Sequence, residues 1–207
     1  MCARPILVLG TGNRKKAGEL VELLAPLGFD IKTLADYPKA ANVEETGDSF
    51  AANARLKATE QARALQHWVL GEDSGLAVDA LGGAPGVYSA RFSGPAATDE
   101  ANNLHLLGQL GDTPLERRTA HYVCHITVAD PQGTVRAESE GICRGRIRFE
   151  PAGTGGFGYD PLFEIVEYHR TFGELGPAVK AALSHRARAV SLILPQLVEL
   201  LDTCEWI

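Results

Sequence analysis

Two adjacent carboxylates near the middle of the chain are the residues best suited to chemistry. Glu72 and Asp73 follow the short apolar run 68–70, which is typical of a buried strand, and precede Ser74 and Gly75. Carboxylates at the end of a strand in an α/β chain lie where ligands usually bind. Mg²⁺ is commonly held by one or two carboxylates together with substrate phosphates. The same residues also form ordinary acidic turns, so the pair alone leaves both interpretations open.

A second candidate site lies near the N-terminus, where the apolar run 5–9 is followed by a small-residue turn, 10–13. A helix is predicted from about Arg14, with Lys15 and Lys16 in its first turn. Amides at a helix start, together with these basic side chains, favour an anion site. A solvated basic face is the alternative. The third glycine of a dinucleotide fingerprint and the Walker A spacing are both absent, which excludes a Rossmann oxidoreductase.

Other polar residues allow either a functional or a structural interpretation. Asn53 and Lys57 share one face of the predicted helix 49–66, which is either functional or exposed to solvent. His121 and His125 lie on one side of a predicted strand, as a metal pair or as two ordinary histidines.

A dense glycine stretch, 153–161, is the next candidate. Its glycines allow close approach of the backbone to a ligand, and Phe157 and Tyr159 could cover a flat one; a hairpin loop is the alternative. Further on, Ser184 is a good helix N-cap, which places His185 and Arg186 at the positive end of the last helix.

Composition limits the class of protein. The 207 residues fit one domain, 1–207, or two closely joined lobes without a firm boundary. The net charge of −6 argues against nucleic acid as the main partner. Four cysteines without CxxC spacing predict reduced thiols, and no apolar stretch reaches membrane-spanning length. We therefore expect a soluble, cytoplasmic protein that does not bind membranes.

The order of apolar runs predicts an α/β fold. Strands are expected at 5–9, 31–34, 68–70 and 162–166, and a hairpin of strands 119–129 and 135–139 adds antiparallel pairing. Helices are expected from about residue 14, over 49–66, from 98 to 111 and after Ser184.

Several blocks, read in order, resemble the inosine triphosphate pyrophosphatase family, and more closely its bacterial branch, whose members act on dITP and XTP. The resemblance runs from Leu7 to the last helix. It is carried by Thr11-Gly12-Asn13-x-x-Lys16-x-x-Glu19, Glu44-Glu45-Thr46-Gly47, Phe50-x-x-Asn53-Ala54-x-x-Lys57-Ala58, Asp73-Ser74-Gly75-Leu76, Gly83-x-Pro85-Gly86-Val87-Tyr88-Ser89-Ala90-Arg91, Gly155-Gly156-Phe157-Gly158-Tyr159-Asp160-Pro161 and Ser184-His185-Arg186.

The resemblance implies a long twisted mixed β-sheet flanked by helices, two lobes with a nucleotide cleft between them, and a homodimer. It implies Mg²⁺-dependent hydrolysis of non-standard purine nucleoside triphosphates to the monophosphate and pyrophosphate. Asp73 would be the catalytic carboxylate and a metal ligand, and Glu44 a second metal ligand. The substrate-binding residues would be Thr11, Gly12, Asn13, Arg14, Lys15, Lys16, Lys57, Ser74, Phe157, Gly158, Tyr159, Asp160, Lys180, His185 and Arg186.

Two positions depart from the pattern of the family. Glu72 stands where bacterial members carry Asp, which keeps the charge on a longer side chain. Val179 stands before Lys180 where Glu is usual, which is expected to loosen the positioning of that lysine. A protein that binds nucleotides without hydrolysing them is the alternative function. It would need the lysines and amides but not Glu44 and Asp73 together.

Overall fold

The computed structural model describes residues 4–202 and 206. Within these described residues, seven strands form one sheet in the order β2-β1-β3-β4-β5-β6-β7. The strands are β1 (Ile6–Leu9), β2 (Asp30–Thr33), β3 (Trp68–Val78), β4 (Thr119–Ala129), β5 (Val135–Ile147), β6 (Phe163–Ile165) and β7 (Arg170–Thr171). The helices are α1 (Arg14–Leu24), α2 (Phe50–Leu65), α3 (Asp99–Leu110), α4 (Pro177–Leu183) and α5 (His185–Asp202).

The sheet is mixed, which confirms the predicted α/β class. β1 pairs in parallel with β2 on one side and with β3 on the other. β6 pairs in antiparallel fashion with β5 and with β7. Parallel strands need crossover connections. Helix α1 connects β1 to β2, and α2 lies in the connection from β2 to β3, on the other side of β1.

The contacts within the chain divide it into two compact units. The first comprises Met1–Asp73, Cys124–Gly141 and Arg186–Ile207. The second comprises Ser74–Val123 and Ile142–His185.

The first unit covers both faces of its strands with helices. Leu7 and Leu9 of β1 face a core that also contains apolar residues of α1 and α5. Val8, between them, points to the opposite face and packs with Ala58 and Ala62 of α2. Successive side chains of a strand alternate between faces, so a continuous apolar run is what a strand covered on both faces requires.

The second unit has its own apolar core. Leu76 and Val78, the last part of β3, pack there with Leu106 of α3 and with the aromatic rings of Tyr122 and Phe163. The ring centroids of Tyr122 and Phe163 lie 4.6 Å apart in a tilted arrangement.

The expectation that the third strand ends at Glu72 and Asp73 is wrong, because β3 continues without a break to Val78. Leu76, Ala77 and Val78 are buried, and this second apolar run keeps the backbone in the sheet beyond the carboxylates. Asp73 is therefore a buried residue in the middle of a long strand.

The remaining sequence expectations have mixed outcomes. The second hairpin strand is longer than predicted and reaches Ile147, and α4 was not predicted. Cys124 and Cys143 are buried thiols, while Cys2 and Cys204 lie outside the described residues. Within the described part of the chain, none of the helices combines the length and apolar character that crossing a membrane requires.

Candidate active site

The predicted strand–turn–helix near the N-terminus is present. Gly10 donates its backbone N–H to the Leu70 carbonyl oxygen at 2.8 Å, which fixes the turn beside β3. Asn13 is the N-cap of α1, and its Oδ1 accepts the N–H groups of Lys15 at 3.0 Å and Lys16 at 3.2 Å. The cap occupies two of the amides that an anion would otherwise meet. An anion at this turn would therefore depend more on the side chains of Lys15 and Lys16, and less on backbone amides, than the sequence suggested.

Helix α2 lies directly against the backbone of β3 because residue 71 is glycine. A Cβ atom on Gly71 would lie 2.3 Å from the Ala54 carbonyl oxygen and 2.5 Å from the Ala58 nitrogen. This close approach brings the shared face of Asn53 and Lys57 onto the strand residues that follow Gly71. The solvent-facing interpretation of that helix face is wrong, since both side chains are buried, and its functional role stays a prediction.

Asp73 is held by both of these side chains. Lys57 Nζ donates to Asp73 Oδ1 at 2.8 Å, and Asn53 Nδ2 donates to Asp73 Oδ2 at 3.2 Å. Burial raises the pKa of Asp73 above its ordinary value, and the charges of Lys57 and Lys16 offset this only in part. Burial alone would lower the pKa of Lys57, but Asp73 and Glu45 outweigh it, so this pKa is also raised.

The turn that contains Glu44 is pinned to the start of α2. Gly47 donates its N–H to Asn53 Oδ1 at 2.8 Å, and a Cβ atom on Gly47 would lie 2.7 Å from that same oxygen. Glu44 itself is exposed, whereas Glu45 Oε1 lies 3.1 Å from Lys57 Nζ. The carboxylate beside the Lys57–Asp73 pair is therefore Glu45, which the sequence analysis did not single out.

Glu72, which is itself fully buried, lies in a second ion network. Arg186 Nη2 donates to Glu72 Oε1 at 2.9 Å, and Lys16 Nζ lies 3.2 Å from Glu72 Oε2. Arg186 also pairs with Glu19 through its Nη1. Burial would lower the pKa of Arg186, but the Glu72 carboxylate outweighs it, so the pKa is raised. Arg186 is only 1% exposed, and its predicted role in substrate binding stays a prediction.

The glycine stretch of the second unit is arranged around Asp160. Asp160 Oδ2 accepts the N–H of Phe157 at 2.8 Å and the ammonium of Lys180 at 2.6 Å. Lys180 Nζ also lies 4.3 Å from the centroid of the Phe157 ring. Gly156 has φ of +73°, and a Cβ atom there would lie 2.1 Å from Asp160 Oδ2, so only glycine fits. Lys180 is thus placed by Asp160 and Phe157, and the expectation that Val179 loosens it stays a prediction.

The other predicted residues of this loop have separate environments. Tyr159 is buried in the core and donates its hydroxyl to the Ser89 carbonyl oxygen at 2.9 Å, so its ring does not present a surface to a ligand. Gly158 is fixed by Asn103, whose Nδ2 donates to its carbonyl oxygen, and by Asp99, which accepts its N–H; both distances are 3.0 Å. Neither of these two α3 residues was identified from the sequence.

The structure also places Ser74 and three candidate histidines. His185 begins α5, as predicted, and its ring stacks on Tyr122 with centroids 4.6 Å apart. Ser74 is half-buried in β3. His121 lies 3.8 Å from Asp79 and His125 lies 3.5 Å from Glu138, so each histidine faces its own carboxylate.

A metal ion would find an oxygen environment near Lys57. Among the described residues, no three His, Cys, Asp or Glu side chains form a group that could hold a metal ion. Nevertheless, three oxygens lie close together around Lys57 Nζ. Two are carboxylate oxygens, of Asp73 and Glu45, and the third is the Glu72 carbonyl oxygen, at 3.2 Å. An all-oxygen set with few protein ligands is what Mg²⁺ accepts when substrate phosphates complete its coordination.

Comparison with known proteins agrees with this architecture. The fold places the chain among α/β proteins with a mixed sheet. The model of the Ham1 family matches residues 7–196, and the chain belongs to that family. The dITP/XTP pyrophosphatase of Rhodopirellula baltica is 56% identical over 197 residues, which are 95% of each chain. That of Exiguobacterium sibiricum is 50% identical over 187 residues, covering 89% of this chain and 92% of its own.

Solved structures give the same result. The HAM1 protein from Coxiella burnetii superposes with a TM-score of 0.85 at 34% identity, covering 94% of this chain and 99% of its own. The nucleoside-triphosphatase (dITP/XTP pyrophosphatase) from Mycobacterium abscessus gives 0.75 at 42% identity, covering 93% and 99%. The family resemblance seen in the sequence is thereby confirmed.

Proposed function

We propose that the protein hydrolyses non-standard purine nucleoside triphosphates, namely ITP, dITP and XTP, to the monophosphate and pyrophosphate, with Mg²⁺ as cofactor. The relatives named above carry the same activity in their names, and this supports the substrate class. The observation that carries the proposal is the buried Lys57–Asp73 pair, which combines a carboxylate with a raised pKa and a cation within 2.8 Å.

Asp73 is the general base in this proposal. A base works best when its pKa approaches the working pH, and burial moves the pKa of Asp73 in that direction. Asn53 holds the second carboxylate oxygen, so that the orientation of the group is fixed. Asp73 thus accepts the proton of the attacking water, and before the nucleotide binds Lys57 stabilises the charged form of Asp73.

Lys16 and Lys57 bind the triphosphate, together with the Thr11–Lys15 turn. Concentrated negative charge develops as a phosphoanhydride bond breaks, and fixed cations stabilise it. Asp73, with Glu44 or Glu45, would hold Mg²⁺, which would supply further charge neutralisation. Glu72 positions the Lys16 ammonium group and is itself held by Arg186, since Glu72 contacts both side chains.

The purine is bound by the loop around Asp160 in this proposal. The ring of Phe157 offers a flat apolar face, and Lys180, with His185 and Arg186 at the start of α5, offers hydrogen-bond donors. Donors suit the O6 acceptor of hypoxanthine and xanthine, whereas adenine carries an amino group there. A site built around one hydrogen-bonding group can reject the wrong analogue by ~10⁴-fold.

A screen of nucleoside triphosphates with Mg²⁺ tests the proposal. ITP, dITP and XTP should release pyrophosphate fastest, GTP should be clearly slower, and ATP slowest. EDTA should stop the reaction. Orthophosphate as the first product would instead indicate an ordinary nucleoside triphosphatase, and tight binding of ITP without turnover would indicate a sequestering protein.

We also propose a cytoplasmic homodimer that does not bind nucleic acid or membranes. The acidic net charge supports the absence of a nucleic-acid surface. Light scattering coupled to gel filtration tests the oligomeric state, and a mass of about 22 kDa would contradict the dimer.

A further inference from the structure

The environment of the Lys57 ammonium group resembles that of a bound cation. Its Nζ donates to Asp73 Oδ1 at 2.8 Å, to the Glu72 carbonyl oxygen at 3.2 Å and lies 3.1 Å from Glu45 Oε1. An ammonium group has three donors, and three oxygens of three different residues surround it. Lys57 is only 9% exposed, so solvent provides little of its coordination.

We propose that Lys57 occupies the cation position between Asp73 and Glu45 whenever nucleotide is absent, and that Glu45 holds it there until a triphosphate draws it away. The inference rests on the proposed function, because it assumes that a metal and a triphosphate meet at Asp73. Before nucleotide binds, Glu45 acts through Lys57 as a positioning residue; once Lys57 has left, the carboxylates of Glu45 and Asp73 would hold the metal together.

The position of Glu45 makes this exchange feasible. Its side chain is 36% exposed, whereas the side chain of Asp73 is 7% exposed. A partly exposed carboxylate gains less from an ion pair than a buried one, because water replaces the lost partner at a smaller cost. The Lys57–Glu45 contact is therefore the weaker of the two, and incoming phosphate oxygens can replace it.

An order of binding follows. A free divalent cation must displace a buried ammonium group from Asp73, and like charges repel strongly at such short range. When a cation binds together with a triphosphate, the phosphates attract the Lys57 ammonium group away from Asp73 and leave the carboxylate open to the cation. Free metal should thus bind poorly, and metal should enter with the nucleotide.

The test is a titration of the nucleotide-free protein with Mn²⁺, with free Mn²⁺ followed by electron paramagnetic resonance. The wild-type protein should bind with a Kd weaker than about 1 mM, the weak end of the range for protein cation sites. A wild-type Kd at or below that value would overturn the proposal without any variant.

Variants sharpen the result. Lys57→Met should bind Mn²⁺ at least ~10-fold tighter, the scale on which neighbouring groups tune metal affinity. The double variant Lys57→Met/Glu45→Gln should lose this gain, since it removes one of the two carboxylates. Lys39→Met, which removes an exposed lysine, is the charge-matched control and should bind Mn²⁺ as the wild type does.

Circular dichroism confirms that each variant is folded, and Lys57→Gln replaces Lys57→Met if the latter is not. An affinity that stays within a few-fold of the wild type in the folded Lys57 variant contradicts the displacement, and a gain that survives in the double variant contradicts the role of Glu45. No hydrolysis is measured here. Failure of this proposal is therefore distinguishable from failure of the proposed activity, which the nucleotide screen tests.

Discussion

Two buried lysine–aspartate pairs of similar geometry occur in different parts of this chain. The Lys57–Asp73 distance is 2.8 Å in the first unit, and the Lys180–Asp160 distance is 2.6 Å in the second. The partners of the two carboxylates differ. Asp73 accepts from the side chains of Lys57 and Asn53, whereas Asp160 also accepts the backbone N–H of Phe157.

This difference assigns the two pairs to different tasks. The backbone around Asp160 depends on its carboxylate, because the loop encloses it so closely that Gly156 leaves no space for a Cβ atom. Among the described residues, the hydrogen bonds to the Asp73 carboxylate come from side chains, and its strand β3 lies between β1 and β4 in the sheet. A carboxylate whose backbone is fixed by other means can change protonation during a reaction without loosening the structure. We infer that Asp73 takes part in the reaction as the general base, whereas Asp160 maintains the shape of the loop that we propose binds the purine.

The largest expected effect is that of Asp73→Asn on turnover. The substitution keeps the shape but removes the proton acceptor, so kcat for ITP should fall at least ~10²-fold. The midpoint of thermal unfolding should change little, because Lys57 keeps Glu45 and the Glu72 carbonyl oxygen as partners. Steady-state kinetics and calorimetry measure the two quantities. Near-normal turnover would show that Asp73 is only a structural residue.

Asp160→Asn should show the opposite pattern. Removing one charge of a buried pair costs about 3 kcal/mol in the free energy of unfolding, which lowers Tm by roughly 6–12 °C in a chain of this size. The kcat of the folded fraction should stay close to that of the wild type, while KM rises. Denaturant unfolding and kinetics below the new Tm check both. A stable protein with abolished kcat would remove the distinction between the two aspartates.

Two lysine substitutions test whether the cations of the two units bind different parts of the nucleotide. Lys16→Ala removes the proposed phosphate contact, and a charged hydrogen bond is worth about 1.5–3 kcal/mol, so it should weaken binding of a non-hydrolysable ITP analogue ~10–100-fold and leave inosine binding unchanged. Lys180→Ala should weaken both ligands to a similar extent. Isothermal titration measures the four affinities. Equal losses of both ligands in Lys16→Ala would place that lysine away from the phosphates.

The smallest expected effect is a change in the pH profile. Asp73 must be ionised to accept a proton, so kcat/KM should fall as the pH drops through its pKa, and this acidic limb should lie above the ordinary value of 3.8. The Lys57 charge lowers the pKa of Asp73, so Lys57→Met should move the limb to higher pH. Lys39→Met should leave it in place. A limb that moves to lower pH in Lys57→Met would contradict the coupling.

The sequence predicted the local parts of this arrangement well. The turn before α1, the shared face of Asn53 and Lys57 and the start of α5 at His185 all follow from short-range patterns, and all are present. Helical spacing and N-cap preferences depend on residues within one or two turns, so one sequence contains the information.

The long-range parts could not be predicted in the same way. The end of β3 was placed too early because acidic residues normally interrupt a strand, whereas here buried partners from α1, α2 and α5 satisfy Glu72 and Asp73. The contact between Glu45 and Lys57 and the pairing of Arg186 with Glu19 join residues far apart in the chain. Only the tertiary structure distinguishes Glu45 from the adjacent Glu44.

One measurement tests the central claim most directly: the products released from ITP and Mg²⁺ by the wild-type protein, Asp73→Asn and Asp160→Asn, each normalised to its folded fraction. The account predicts equal amounts of inosine monophosphate and pyrophosphate from the wild type and from folded Asp160→Asn, and almost none from Asp73→Asn. Orthophosphate as the first product, or an equal loss in both variants, would contradict it.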